Sequence, residues 1–146
     1  MVESILLPAT DDPESAGFWA AARERRFVVQ KCGSCGHLRF PPRPHCRVCQ
    51  SADFAWAPMS GRGRLWSWAV AHKPVLPAFA PFAPFPIVIV ELEEAVSLRI
   101  AGNVLAAPGA PINSVDPGTL RIGQSLEVTF ERVAEDVMLP RWVVVP

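Results

Sequence analysis

Two Cys-x-x-Cys turns, Cys32-Gly33-Ser34-Cys35 and Cys46-Arg47-Val48-Cys49, constrain this chain more than any other feature, and they hold all 4 of its cysteines. Such a turn lets two sulfurs converge on one ion while backbone amides stabilise their charge, and zinc favours thiolates in a tetrahedron. The segment between Cys35 and Cys46 is long enough for a hairpin that brings the two turns together. The spacing predicts one zinc site ligated by Cys32, Cys35, Cys46 and Cys49. The other readings are two disulfides, an iron centre or four unlinked core cysteines. Four thiolates complete the tetrahedron and leave no position for water, so the predicted zinc is structural. His37 and His45 flank the turns as candidate substitute ligands, but with four thiols available they read as surface or packing residues.

A chain of 146 residues fits one ordinary domain or two very small ones that need help to fold. With 50% hydrophobic and 19% charged residues it is globular and too apolar for intrinsic disorder. Fourteen basic residues against fourteen acidic ones remove the broad positive field that non-specific nucleic-acid binding uses. No apolar run approaches the roughly 18 residues a membrane span needs. Met1 to Thr10 lacks a basic segment followed by an apolar core, so the chain is expected in the cytoplasm, where paired cysteines more often hold metal than form disulfides.

The expected fold is mainly β: a short N-terminal helix, a four-cysteine zinc ribbon, then a five-stranded OB-fold barrel. Asp11-Asp12-Pro13-Glu14 reads as a capped helix start, and Phe18 and Ala22 share one face of the helix that follows. Phe27 to Lys31 has strand character and leads into the first cysteine turn; Leu38 to Phe40 is its return, and the ribbon closes near Trp56. Five barrel strands are expected near residues 64–72, 87–93, 97–105, 125–131 and 137–145. The long connection after the third, Ala106 to Gly123, is the OB-fold signature. Division into residues 1–26, 27–58 and 59–146 follows.

The chain carries no Gly-x-Ser-x-Gly elbow, phosphate loop, dinucleotide fingerprint or His-Glu-x-x-His, and it has no tyrosine. His72, outside the ribbon at the end of the first barrel strand, lacks the positioned partner that general-base catalysis requires. Strict alternation places Trp66, Trp68, Val70 and His72 on one side of that strand. Such an aromatic stripe serves core packing, an interface for a protein or acyl ligand, or base stacking by a single-stranded nucleic acid. Pro74 to Pro86 holds five prolines and three phenylalanines, Phe79, Phe82 and Phe85. It reads as an ordered loop over the barrel or an apolar edge offered to a partner, and the partner is preferred because compact monomers rarely leave large apolar patches uncovered.

The order of these features resembles the DUF35 family, whose members join a rubredoxin-like zinc ribbon to an OB-fold. The likeness is carried by Phe18-Trp19, the four-cysteine ribbon with Pro41-Pro42-Arg43, Trp56, and Ser60-Gly61-Arg62-Gly63. It continues through Pro86 to Leu92, Leu120-Arg121-Ile122-Gly123 and Leu139-Pro140-Arg141-Trp142, covering nearly the whole chain. Two departures stand out: no proline follows Cys46, and Trp142 stands where phenylalanine is frequent. The resemblance implies a non-catalytic accessory subunit that forms a hetero-oligomer with a thiolase-like enzyme in acyl-CoA cleavage or synthesis, retro-aldol cleavage or acyl transfer. The OB part then supports acyl-CoA binding and the ribbon holds the catalytic partner. Arg62, Arg64 and Lys73 are the expected contacts for CoA phosphates. A single-stranded nucleic-acid-binding OB-fold is the alternative, and a self-standing enzyme using His72 a third.

Overall fold

Val28–Cys32 forms the central strand of the ribbon, β1, because its β-branched residues face packed neighbours on both sides; all but Lys31 are buried. It pairs antiparallel with β2 (Leu38–Arg39) on one edge and β3 (Phe54–Pro58) on the other. The computed structural model describes residues 6–146, so part of the segment read for a targeting signal, residues 1–5, lies outside the described residues. Upstream, α1 (Ala16–Arg23) buries Phe18, Ala21 and Ala22. It starts later than the aspartates predict. Asp12 acts through its backbone carbonyl, which accepts the Ser15 and Ala16 amides at 2.9 and 2.8 Å, and Ser15 makes no side-chain cap.

Residues 62–144 close into a five-stranded barrel of β4 (Arg62–Ala71), β5 (Phe85–Leu92), β6 (Ala95–Leu105), β7 (Ser125–Ala134) and β8 (Val137–Val144), in the order β4-β5-β6-β8-β7. Every neighbouring pair is antiparallel except β6 with β8, where Val104 and Leu105 face Trp142 and Val143 in parallel. That crossover is what the long connection of residues 106–124 makes possible, and one 3-10 turn, Pro117–Thr119, lies within it. This is the OB-fold arrangement, closed by three residue pairs between β4 and β7 and two between β6 and β8.

Inward positions alternate along the strands: Val88, Val90 and Leu92 on β5, Leu98 and Ile100 on β6, Leu126 and Phe130 on β7, all buried. Alternation breaks in β4. Leu65 pairs with Val90 but Ser67 with Ile89, so Trp66 is an extra residue that shifts the side-chain parity. The expected one-sided stripe is therefore split. Trp68, opposite buried Val88, packs on the core, whereas Trp66 faces outward, 45% exposed, with the Arg99 guanidinium 4.0 Å from its ring centre.

Helix, ribbon and barrel share one apolar core. Phe18 meets Phe27 at 5.8 Å and Phe40 at 5.5 Å, and Phe27 reaches Trp142 at 5.9 Å. The larger ring at position 142 fits because its neighbour is Gly102: a Cβ there would come within 2.9 Å of the indole. In the Pro/Phe segment, Phe85 is buried and Phe79 packs 6.0 Å from it, over a second small cluster with Leu105 and Ile112. The segment is thus mostly a cover for one end of the barrel, with Leu76 and Phe82 left at the surface.

Candidate functional site

The two cysteine turns repeat one backbone pattern. Gly36 N–H donates to the Cys32 carbonyl at 3.0 Å, and Gln50 N–H donates to the Cys46 carbonyl at 2.9 Å. Both turns end in a left-handed residue, Gly36 at φ 77° and Gln50 at φ 66°. Each turn also aims amides at its first sulfur: Ser34 and Cys35 N–H at Cys32 Sγ, Val48 N–H at Cys46 Sγ, all at 3.4 Å. The four sulfurs lie within 4.8 Å of one another. Cys32 Sγ is 3.5 Å from Cys49 Sγ and Cys35 Sγ is 3.6 Å from Cys46 Sγ. A disulfide needs about 2.05 Å, whereas bonds of about 2.3 Å to a tetrahedral ion set sulfurs about 3.8 Å apart. The cysteines are free thiols arranged to bind one metal ion.

Electrostatics divides the thiols. Amides of Cys35 and Ser34 lower the Cys32 thiol to about 6, and those of Cys49 and Val48 lower Cys46 as well. At Cys35 the His37 amide pulls downward, but desolvation and the sulfurs of Cys46, Cys32 and Cys49 outweigh it and push the thiol up to about 12. A divalent ion would displace that proton and take the negative charge the amides already favour. His37 and His45 instead line a cleft beside the ribbon, and neither belongs to the sulfur cluster.

The three expected CoA contacts do not come together. Arg62 and Arg64 line a cleft that also contains Glu91, Glu93 and Glu127. Arg62 Nε donates to Glu93 at 3.0 Å, an exposed pair that raises the arginine and holds the carboxyl below its usual range. Arg64 donates to the Gly123 carbonyl at 3.2 Å. Lys73 is exposed past the far end of β4, about 30 Å along the strand from Arg62. His72 is exposed beside it, off the end of β4.

Sequence reasoning missed a polar cluster under the ribbon. Gln30 is fully buried, and its Oε1 accepts from Arg39 Nε and from Arg43 N–H, both at 2.7 Å, while its Nε2 donates to the Glu14 carbonyl at 3.3 Å. Arg39 is 6% exposed. It faces a cleft of about 490 Å³ between ribbon and barrel, which Arg43, Arg47, Phe40 and Leu98 also line. The sequence offered little signal, because Gln30 is followed by the exposed Lys31 and the two read as an ordinary polar pair in a strand.

Comparison with known proteins matches both parts. Residues 19–55 fit the family model for the rubredoxin-like zinc ribbon domain of ChsH2, and residues 56–131 fit that for the C-terminal OB-fold domain of ChsH2. A DUF35 domain-containing scaffold protein of Pyrococcus furiosus is 30% identical over 81% of this chain and 79% of that protein. A probable enoyl-CoA hydratase alpha subunit of Thermomonospora curvata is 32% identical over 87% of this chain, which spans 36% of that longer relative. Among solved structures, the Ltp2-ChsH2(DUF35) aldolase contains a chain that superposes with a TM-score of 0.77 and 29% identity, covering 94% of this chain and 98% of that one.

Proposed function

The chain belongs to the ChsH2/DUF35 family of zinc-ribbon and OB-fold proteins, and from that premise we propose that it is a non-catalytic accessory subunit of a thiolase-superfamily enzyme that acts on acyl-CoA. The observation carrying this reading is the likeness of almost the entire chain to the corresponding chain of an aldolase complex. Relatives named as scaffold proteins and as a hydratase alpha subunit point the same way. In this reading residues 27–58 form the ribbon and residues 59–146 the barrel. The metal is zinc, and its role is structural because the four thiolates fill its coordination shell.

The ribbon holds the catalytic partner, and the barrel contributes to the acyl-CoA site. Arg62 and Arg64 are the phosphate contacts proposed for that site, where a phosphate at Arg62 must compete with Glu93 for the guanidinium, and Lys73, past the other end of β4, would have to meet a different part of the ligand. The nucleic-acid alternative rested on a one-sided aromatic stripe, which the bulge at Trp66 divides between two faces.

Co-purification with the thiolase-like protein encoded nearest to it, followed by an acyl-CoA cleavage assay with and without this chain, tests the proposal. The expected result is a stable complex and at least a tenfold gain in turnover over the partner alone. Full activity of the partner alone, with no complex by size-exclusion chromatography, would reject it.

A further inference from the structure

The cleft between ribbon and barrel differs in chemistry from the one that holds Arg62. We propose that it binds a phosphate-bearing small molecule, held by Arg39, Arg43 and Arg47. The starting point is Arg39. Its guanidinium is buried, and both of its hydrogen-bond partners are neutral: Gln30 Oε1 at 2.7 Å and the Arg43 carbonyl at 3.1 Å. Its Nη1 has no partner, and no carboxylate pairs with Arg39 among the described residues. The Phe54 ring, 5.6 Å from Cζ, is its other electrostatic neighbour. A buried charge without a counter-charge is costly, and an anion brought to the cleft wall offsets that cost.

The rest of the lining fits such a ligand. Arg43 and Arg47 are exposed at the cleft, and neither forms an ion pair among the described residues. No acidic side chain lines it, whereas three glutamates line the cleft of Arg62 and Arg64. In a chain of zero net charge, this concentrates positive potential at one place. Phosphate offers several oxygens to the exposed guanidinium forks of Arg43 and Arg47, while Arg39, whose Nη1 is buried, acts through its uncompensated charge in the cleft wall. A volume of about 490 Å³ with Phe40, Pro41 and Leu98 in its walls exceeds what inorganic phosphate fills and suits an organic phosphate with an apolar portion.

Another account of the same residues is that they balance the negative charge of four thiolates around a divalent ion. The experiment separates the two. Arg43 is anchored by its backbone, whose N–H and carbonyl bond Gln30 and Arg39, so R43A removes the side chain and leaves those bonds in place. Pyrophosphate is titrated calorimetrically into the zinc-loaded full chain, its R43A/R47A double variant, R39Q, and R26A as a charge control, since Arg26 pairs with Glu24 and does not line the cleft. We expect wild type and R26A to bind alike, and R43A/R47A and R39Q each to lose about tenfold or more in affinity with zinc still at one per chain. If R39Q fails to fold, the double variant decides. No pyrophosphate binding by the wild-type chain, equal losses in R26A, or zinc lost in step with the arginines would overturn the proposal. Competition by single-stranded DNA that strengthens with strand length would overturn it too, in favour of a nucleic acid. No partner subunit enters the experiment, so the accessory-subunit reading can fail without affecting its outcome.

Discussion

Ribbon and barrel reach a fixed shape by different means. In the ribbon, β2 has two residues, and of the second turn's four residues, 46–49, only Cys46 is buried. Its sheet has β1 as its one well-buried strand, so geometry at the tip is left to four sulfurs. The barrel closes on itself and fills its interior with Leu65, Val88, Val90, Leu92 and Leu126. The difference teaches where each part fails: the ribbon through loss of an ion, the barrel through loss of volume.

The largest expected effect comes from Cys46→Ser. It should take metal content from one ion per chain to none and abolish the ordered ribbon, because folding of so small a module is coupled to metal binding. Metal analysis and amide NMR read both, with barrel resonances retained. A variant that keeps its metal would show that the two parts are less different than they look.

Next in size is Trp142→Ala, which tests where the parts are joined. Trp142 is 1% exposed between Phe27 and Gly102, so truncation should cost about 3–5 kcal/mol in denaturant unfolding. Loosening of the ribbon along with the barrel would place them in one cooperative unit; loosening of the barrel alone would separate them.

Metal uptake should depend on pH in one direction. Near neutrality Cys32, lowered to about 6, is already a thiolate, whereas Cys35, pushed up to about 12, still holds its proton. Binding must release that proton, so affinity rises with pH by about tenfold per unit for each proton displaced. Calorimetry in buffers of different ionisation enthalpy counts the protons. Weakening of uptake as pH rises from 6 to 8 would contradict the assignment.

The smallest effect belongs to Gln50, the left-handed residue matching Gly36 in the other turn. Gln50→Gly should stabilise the metal-loaded chain by about 1 kcal/mol, because glycine adopts positive φ without the Cβ penalty. A destabilised variant would show that the glutamine side chain contributes more than its backbone costs.

The cysteine pairs were legible because sulfur chemistry depends on sequence spacing, and the strands because alternation follows from the pleat. The OB-fold order was legible from the long connection after the third strand. Trp66 was misplaced because a bulge is set by the partner strand, where Leu65 and Ser67 face Val90 and Ile89 with nothing opposite the residue between. Helix α1 began late because a carbonyl, and not the aspartate side chain, serves its first turn. Arg39 and Gln30 went unread because burial of a polar pair depends on what folds over it, here Arg43 and the segment around Glu14. For the Pro/Phe segment the sequence leaves both a barrel cover and a partner edge open, because the residues on which Phe79 and Phe85 pack, Leu105 and Ile112, are distant in sequence.

Phe27 covers Trp142, and its own position depends on the ribbon strand that begins one residue later. A chain that loses its zinc and keeps its barrel, the outcome expected for Cys46→Ser, uncovers the Trp142 indole and the apolar residues packed around it. Its characteristic failure is then self-association of a nearly intact molecule, so metal supply sets the solubility of this protein before it sets its stability.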